Sequence, residues 1–298
     1  MITTQTSRGE IELRARLPRD LRRLAYVATW GVAAQVVLRL ERLLRADPTI
    51  GVDSRAYWLA WRRPMYTTGP GTSDAYLYSP AFAQAMWLPS RLPYPVFAAV
   101  ICLANLALLA WLLRPVGWKW ALPLFLIMLP DPLAGNILVL IGAAAVIGLE
   151  RPAAWAVPAL TKITPTLGPI WWLSRREWRP LILSAGATAA IVALSAAISP
   201  HLWVDWLRFL ISNKGGAESS HVGQLPMFPL VYRLPVGIAL VAVGARRDWR
   251  WTIPVGMFVC APVFWFGSYA LLAAIPRMSR RRGGGPDAAR DPRGQTAT

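Results

Sequence analysis

The apolar run VFAAVICLANLALLAWLL, residues 96–113, decides the class of this protein. It carries no charged residue and is close to the length of about 20 apolar residues that a helix needs to cross a bilayer. The whole chain is 55% hydrophobic and 16% charged, and its mean hydropathy is +0.38. Because lipid offers the backbone no hydrogen-bond partners, spans of this kind are helical. The sequence therefore predicts an all-α polytopic membrane protein.

The net charge of +17 raises the alternative of a nucleic-acid-binding protein. The position of the charge decides against it, because arginines cluster on either side of the apolar part of the chain. They are Arg8, Arg14, Arg16, Arg19, Arg22, Arg23, Arg277, Arg280, Arg281 and Arg282. Basic segments next to spans stay in the cytoplasm. We expect the bilayer as a partner and no nucleic acid.

This charge pattern divides the chain into three parts. Residues 1–23 are expected to be a cytoplasmic basic segment, and residues 24–278 a transmembrane domain that begins with a signal-anchor span at 24–44. Residues 279–298, rich in Gly, Pro and Arg, are expected to be a disordered cytoplasmic tail. The protein is thus predicted to be a multi-pass protein of the plasma membrane.

Two long segments are expected on the extracytoplasmic face. Residues 45–94 contain the amphipathic pieces AYWLAW and AFAQAMWL, and residues 199–228 contain HLWVDWLRFL. Helices of this composition lie along the membrane surface. We therefore predict amphipathic helices on the extracytoplasmic face of the membrane.

Two apolar runs conflict with the distribution of positive charge. Residues 153–173 and 251–276 are each followed by arginines that belong inside, although a full crossing would place them outside. Prolines interrupt both runs, and Lys162 lies in the middle of the first. A bent pair of short helices that enters and leaves on one face removes each conflict. A lysine at that depth needs a partner or a cavity, which favours a functional role for it.

Several candidate site residues are expected on the outer face, and each has a possible structural role beside the functional one. Asp53 is either a functional carboxylate or the cap of the helix that follows it. Arg55, Arg62 and Arg63 either bind an anionic group or reach headgroups. His221 is by default a solvated loop residue, although it could donate to phosphate.

A metal site and a cofactor are not expected. Cys102 and Cys260 lie in apolar runs without metal-ligand spacing, and no pair of carboxylates has the spacing of a metal site. Turn formation beside prolines explains Asp131.

The order of several motifs resembles glycosyltransferase family 87. They are VDSRAYW, YLYSPAFAQAMWLPSRLPYPVFAAV, GNILVLIG, LTKITPTLGPIWWLSRREWRPL and APVFWFGSYALLAAIP. The similarity runs from about residue 20 to residue 278. It implies a GT-C-like bundle of about 8–10 transmembrane or half-spanning helices with amphipathic helices on the outer face.

The resemblance also implies the reaction. A hexose or pentose, with mannose favoured, is transferred from a polyprenyl-phosphate donor to a hydroxyl of a glycolipid or glycan acceptor, with inversion. Asp53 matches the family's catalytic aspartate. Candidates for binding the donor phosphate are Lys162, Arg55 and His221. Candidates for contacts with acceptor or lipid are Tyr57, Arg62, Arg63, Tyr78 and Trp265.

One departure from the family pattern leaves alternatives open. Relatives often have a histidine after the tryptophan of the last motif, whereas Phe266 and Gly267 follow Trp265 here. Either His221 replaces that histidine or the protein is an inactive relative. A transporter or flippase of lipid-linked material is the other alternative, since transporters also use broken helices and intramembrane charges.

Overall fold

The computed structural model describes residues 19–47, 50–213 and 228–279. Over these ranges the chain is helical and has no strand, which confirms the predicted all-α class. Most of the basic amino-terminal segment, His221 and the tail from residue 280 lie outside the described residues.

The α-helices in the first half of the chain are α1 (Arg19–Ala46), α2 (Val52–Leu59), α3 (Pro80–Met86), α4 (Tyr94–Leu113), α5 (Trp118–Met128), α6 (Pro130–Ala134) and α7 (Leu138–Gly148). Those in the second half are α8 (Ala156–Thr161), α9 (Gly168–Arg175), α10 (Trp178–Ile198), α11 (Pro200–Ser212), α12 (Leu230–Arg246), α13 (Thr252–Val259) and α14 (Ile275–Met278). Short 3₁₀ segments lie at Pro89–Arg91, Arg114–Val116, Pro152–Trp155 and Phe266–Ala274.

Two of the described helices are long and apolar enough to cross a membrane: Tyr94–Val116, which includes α4, and Trp178–Ile198, which is α10. The run 24–44 predicted as the first span lies within α1, but charged residues such as Arg39 and Glu41 in its last part keep α1 outside this group. Helices α5 and α7 are apolar but shorter than a full span. The predicted number of spans therefore stays a prediction.

Helix α10 turns its apolar side chains away from the rest of the protein. Its buried residues are Ser184 and Ser195, whereas Ile182, Leu194 and Ile198 are about two-thirds exposed, at 66%, 66% and 65%. A continuous apolar surface of this kind is unfavourable in water and favourable against lipid. The burial pattern of α10 thus agrees with a lipid-facing span.

Helix α7 lies at the centre of the core. It packs against α4 and against the 3₁₀ segments Pro152–Trp155 and Phe266–Ala274. Its residues Leu138, Val139 and Ile141 are almost completely buried. The core therefore forms around a helix too short to be a span by itself.

Trp155 fills the space between α7 and α9. Its side chain has no exposed surface. A methyl group added at Gly168 would lie 2.1 Å from its Cε2 atom, and one added at Gly148 would lie 2.5 Å from its Cδ1 atom. These glycines allow the indole ring to contact both helices directly.

The run 153–173 is interrupted as its prolines predict. Helix α8 ends at Thr161, Lys162 is extended with φ −125° and ψ 99°, and α9 begins at Gly168. Pro165 lies in the break and cannot donate a helical hydrogen bond. The run 251–276 is also divided, because α13 ends at Val259 and the next helical segment begins at Phe266. That each pair enters and leaves on one face of the membrane stays a prediction.

Replacing Gly168 tests the packing around Trp155. We expect Gly168→Ala to lower the free energy of unfolding by about 1–3 kcal/mol, because its methyl group would overlap the buried indole ring. Thermal unfolding of the purified protein in detergent measures this as a lower melting temperature. The control is Gly186→Ala within α10, where a methyl group meets nothing within 4 Å. Equal melting temperatures for both variants would contradict the proposed packing.

Candidate active site

The amino-terminal end of α2 is fixed by the glycine that precedes it. Gly51 has φ +78°, a conformation that favours glycine, and its N–H group donates to the carbonyl of Leu133, 2.7 Å away. The Tyr94 hydroxyl donates to the carbonyl of Gly51 at 3.0 Å. The start of α2 is thus attached to both α4 and α6.

Ser54 brings α2 against the turn between α6 and α7. Its side chain is fully buried, and its hydroxyl donates to the Gly51 carbonyl at 2.6 Å. Gly135 in the turn has φ +71°, and a methyl group there would lie 2.8 Å from the Ser54 Cβ atom. Only glycine permits this approach, which places Asp53 beside the residue that follows Gly135.

That residue, Asn136, joins Asp53 to Lys162. Its Nδ2 group donates to Asp53 Oδ2 at 2.6 Å, and Lys162 Nζ donates to its Oδ1 atom at 3.0 Å. The backbone N–H group of Ile137 donates to the same oxygen at 2.7 Å. Asn136 is buried, whereas Asp53 and Lys162 keep part of their surface exposed. Two of the predicted site residues therefore meet through an amide group that the sequence interpretation did not include.

Asp131 supports Asn136 from the buried side. Its carbonyl accepts from the Asn136 N–H group at 3.1 Å, and its Oδ2 atom accepts from the N–H group of Val139 in the first turn of α7 at 3.2 Å. Its Oδ1 atom is buried without a hydrogen-bond partner. Turn formation does not explain Asp131, because its side chain is fully buried and binds the start of α7.

Burial is the main influence on the pKa values of the two carboxyl groups in the site, those of Asp53 and Asp131. Loss of hydration raises the pKa of Asp53 above its ordinary value, while the Lys162 charge and the Asn136 hydrogen bond oppose that rise. Burial also raises the pKa of Asp131, again with Lys162 opposing it. One ammonium group therefore compensates two nearby carboxyl groups.

A cluster of three aromatic side chains, Tyr57, Tyr78 and Phe82, lies next to Asp53. The Tyr57 and Tyr78 hydroxyls are 3.1 Å apart, and both rings contact Phe82 with centroid distances of 5.2 Å. Burial raises the pKa of Tyr57, and the charges of Tyr78 and Asp53 raise it further. The two tyrosines predicted as contact residues are thus close to the Asp53 carboxylate.

The three candidate arginines have different environments. Arg55 Nε lies 3.5 Å and Arg63 Nη1 lies 4.0 Å from the Asp74 carboxylate. Arg62 lies over the Trp58 ring at 3.8 Å and donates to the Ser90 carbonyl at 2.6 Å. Arg62 therefore joins α2 to the 3₁₀ segment Pro89–Arg91, and the other two arginines flank Asp74.

The remaining sequence interpretations have different outcomes. The capping role suggested for Asp53 is wrong, because α2 is preceded by Gly51 and its start has no side-chain cap. Trp265 precedes the 3₁₀ segment Phe266–Ala274, and its backbone N–H group donates to the Ser268 hydroxyl at 3.1 Å. Its predicted contact with acceptor or lipid stays a prediction. His221 lies outside the described residues.

Asn136 and Asp131 are the site residues that sequence reasoning missed. A signal for Asn136 was present, because a polar side chain follows a glycine between two apolar runs in GNILVLIG. Nothing in the sequence shows that this side chain meets a residue 83 positions earlier.

The site can support acid–base chemistry. A partly exposed carboxylate held by an amide can accept a proton from a hydroxyl that reaches it. Among the described residues, no group of three or more His, Cys, Asp and Glu side chains is arranged to hold a metal ion.

Comparison with known families gives one match. The model of glycosyltransferase family 87 matches residues 76–285, which include Tyr78, Asp131, Asn136, Lys162 and Trp265. Asp53 precedes the matched region in the sequence, and its carboxylate accepts a hydrogen bond from Asn136, which lies within that region. No curated protein and no solved structure matches the chain. Since the matched region covers more than half of the sequence, the chain belongs to glycosyltransferase family 87.

Proposed function

We propose that the protein transfers a hexose or pentose, with mannose favoured, from a polyprenyl-phosphate donor to an acceptor hydroxyl at the outer face of the plasma membrane. Membership of glycosyltransferase family 87 supports the reaction class over a transporter. The observation that carries the proposal is the hydrogen-bonded chain from Asp53 through Asn136 to Lys162.

Asp53 is the proposed general base. Its carboxylate accepts the proton of the acceptor hydroxyl as that oxygen attacks the anomeric carbon, and the polyprenyl phosphate leaves from the opposite face with inversion. Burial raises the pKa of Asp53, which makes the ionised carboxylate a stronger proton acceptor. The Asn136 hydrogen bond holds the carboxylate in one orientation.

Lys162 is proposed to keep Asp53 ionised. Lys162 and Asp53 hydrogen-bond to the two polar atoms of one amide group, which keeps the ammonium group close to the carboxylate. Inversion places the leaving phosphate on the face of the sugar opposite the acceptor hydroxyl that Asp53 serves. Binding of the donor phosphate, the role for which the sequence makes Lys162, Arg55 and His221 candidates, stays a prediction to be separated by experiment.

The outer face is favoured for this site by the order of segments along the chain. Helix α2 follows α1 and precedes α4, the apolar helix within the candidate span Tyr94–Val116. The arginine-rich segment before α1 favours the cytoplasm. Asp53 then lies in the segment between the two, which is expected outside.

Replacing Asp53 tests the proposed base. Asp53→Asn keeps the shape and removes the proton acceptor, so we expect transfer to fall by roughly 10²- to 10⁴-fold. The measurement is the initial rate of sugar transfer from a mannosyl polyprenyl phosphate by the purified protein in detergent, with the melting temperature as a check of folding. Asp47→Asn, in the exposed segment after α1, is the matched control and should transfer at the normal rate. Normal transfer by Asp53→Asn would remove this residue from the mechanism.

Replacing Lys162 separates its two candidate roles. Lys162→Met removes the charge that opposes the effect of burial, so the pKa of Asp53 should rise and the acidic limb of the pH profile of kcat/KM should move to higher pH. An unmoved acidic limb together with a higher KM for the donor would instead assign Lys162 to phosphate binding.

Cysteine labelling tests the orientation. A membrane-impermeant maleimide should label Ser73→Cys and Ser219→Cys in intact cells, since both positions are predicted outside. Ser279→Cys, at the predicted cytoplasmic end, should react only after permeabilisation. The reverse pattern would overturn the proposed orientation. The two native cysteines, Cys102 and Cys260, are buried and should give little background.

A further inference from the structure

A five-residue pattern of arginines around an acidic residue and a tryptophan occurs twice in the chain. The first copy is RREWR, residues 175–179, and the second is RRDWR, residues 246–250. Each copy lies where one helix ends and the next begins: α9 and α10 flank the first copy, and α12 and α13 flank the second. The proposed transferase mechanism uses neither copy.

The structure brings the two copies together. Helices α9 and α12 pack against each other. The Arg175 Nη1 group donates to the carbonyl of Ala245 at 2.8 Å and lies 3.5 Å from Asp248 Oδ1. Arg250 Nε lies 3.7 Å from the same carboxylate oxygen. Residues 175–179 and 246–250 therefore form one surface, which we call the paired arginine turns.

The paired arginine turns carry more positive charge than their own carboxylates balance. Their carboxylates are those of Glu177 and Asp248, and both lie within ion-pair distance of Arg175. In the part of the chain that the structure describes, three exposed arginines of these turns form no ion pair: Arg176, Arg179 and Arg246. Guanidinium groups of this kind can donate to an anion from outside the protein.

Tryptophans place the paired arginine turns at the level of lipid headgroups. Trp178, Trp249 and Trp251 are 56%, 41% and 38% exposed. The Trp249 and Trp251 rings stack with their centroids 6.1 Å apart, and Arg247 lies 4.8 Å from the Trp249 ring centroid. Exposed tryptophans of membrane proteins lie at the boundary between lipid and water.

The same surface continues into an apolar one. Trp178 is the first residue of α10, and the Ile182 side chain one turn later is largely exposed. Since α10 has the burial pattern of a lipid-facing span, the arginines lie where its apolar surface meets the headgroup region. A ligand of this surface therefore needs an anionic group beside an apolar part.

An anionic phospholipid has both parts. Its phosphate can accept paired hydrogen bonds from a guanidinium group, and its acyl chains can lie along the exposed apolar side chains of α10. A soluble anion or an acidic protein would contact the arginines and leave the adjoining apolar surface uncovered. Under the orientation proposed above, the paired arginine turns face the cytoplasmic leaflet, where anionic lipids give the membrane surface a negative potential.

We propose that the paired arginine turns bind the headgroup of an anionic phospholipid in the cytoplasmic leaflet. Each turn supplies exposed arginines that form no ion pair within the protein, so both turns contribute to binding. The site is separate from the candidate active site, because α9 extends about 10 Å from the break after Lys162 to Arg175. Lipid binding at this site does not depend on sugar transfer.

Titration of the full chain in detergent with dioleoyl phosphatidylglycerol tests the proposal, with native mass spectrometry as the measure of bound lipid. We expect phosphatidylglycerol to bind at least about tenfold more tightly than dioleoyl phosphatidylcholine. Arg179→Gln and Arg246→Gln each remove one exposed cation, so each should weaken the binding of phosphatidylglycerol about fivefold, and the double variant about 30-fold. The melting temperature without lipid should stay unchanged, because neither side chain forms an ion pair in the described part of the chain.

The double variant Arg42→Gln with Arg91→Gln is the charge-matched control, because it removes two exposed arginines from other parts of the chain. It should bind phosphatidylglycerol as tightly as the unchanged protein. Equal weakening in both double variants would overturn the site, since net charge alone would then explain binding. Weakening by a variant of one turn only would overturn the joint role of the two turns. Equal affinity for phosphatidylcholine, or for free glycerol phosphate, would overturn an anionic phospholipid as the partner.

Discussion

The close contact between Ser54 and Gly135 is the constraint on which the candidate site depends. A side chain at position 135 would collide with Ser54, and the left-handed conformations of Gly51 and Gly135 shape the two chain segments that meet there. Hydrogen bonds from Gly51 to Leu133 and from Tyr94 to Gly51 then fix the start of α2. The Asp53 carboxylate reaches Asn136 because the backbones come this close.

The charges around Asn136 are costly to assemble. Removing a carboxylate and an ammonium group from water costs several kcal/mol for each ion, and a buried ion pair seldom recovers more than that. Here one lysine compensates Asp53 and Asp131, and one Asp131 oxygen is left without a partner. Apolar residues of similar size often give a core that is equally or more stable than one with such charges. Carboxyl groups perturbed by burial and paired with a specific charge are typical of a catalytic site, which is consistent with transferase chemistry.

Helix α10 is connected to the candidate site through α3. Helix α10 exposes its apolar side chains and buries two serines, as expected of a helix that contacts lipid on most of its surface. Helix α3 packs against it, and the Gln84 side chain of α3 donates to the Ser195 carbonyl of α10 at 3.1 Å. The Ser79 hydroxyl at the start of α3 donates to the Leu160 carbonyl of α8 at 2.5 Å, two residues before Lys162. Helix α10 is thus linked through α3 to the segment that carries Lys162.

Composition and pattern alone predict the helical class, the apolar helices α4 and α10 and the break at Lys162. Each of these follows from local chemistry: apolar length, proline geometry, or a charge in an apolar run. They do not identify Asn136, they attribute Asp131 to turn formation, and they leave a helix cap as one alternative for Asp53. Those assignments depend on which side chains meet, and Asp53 and Asn136 are 83 residues apart. The three-dimensional packing is needed to make them, because the approach of α2 to the turn at Gly135 is set by contacts between distant segments and leaves no periodic pattern in the sequence.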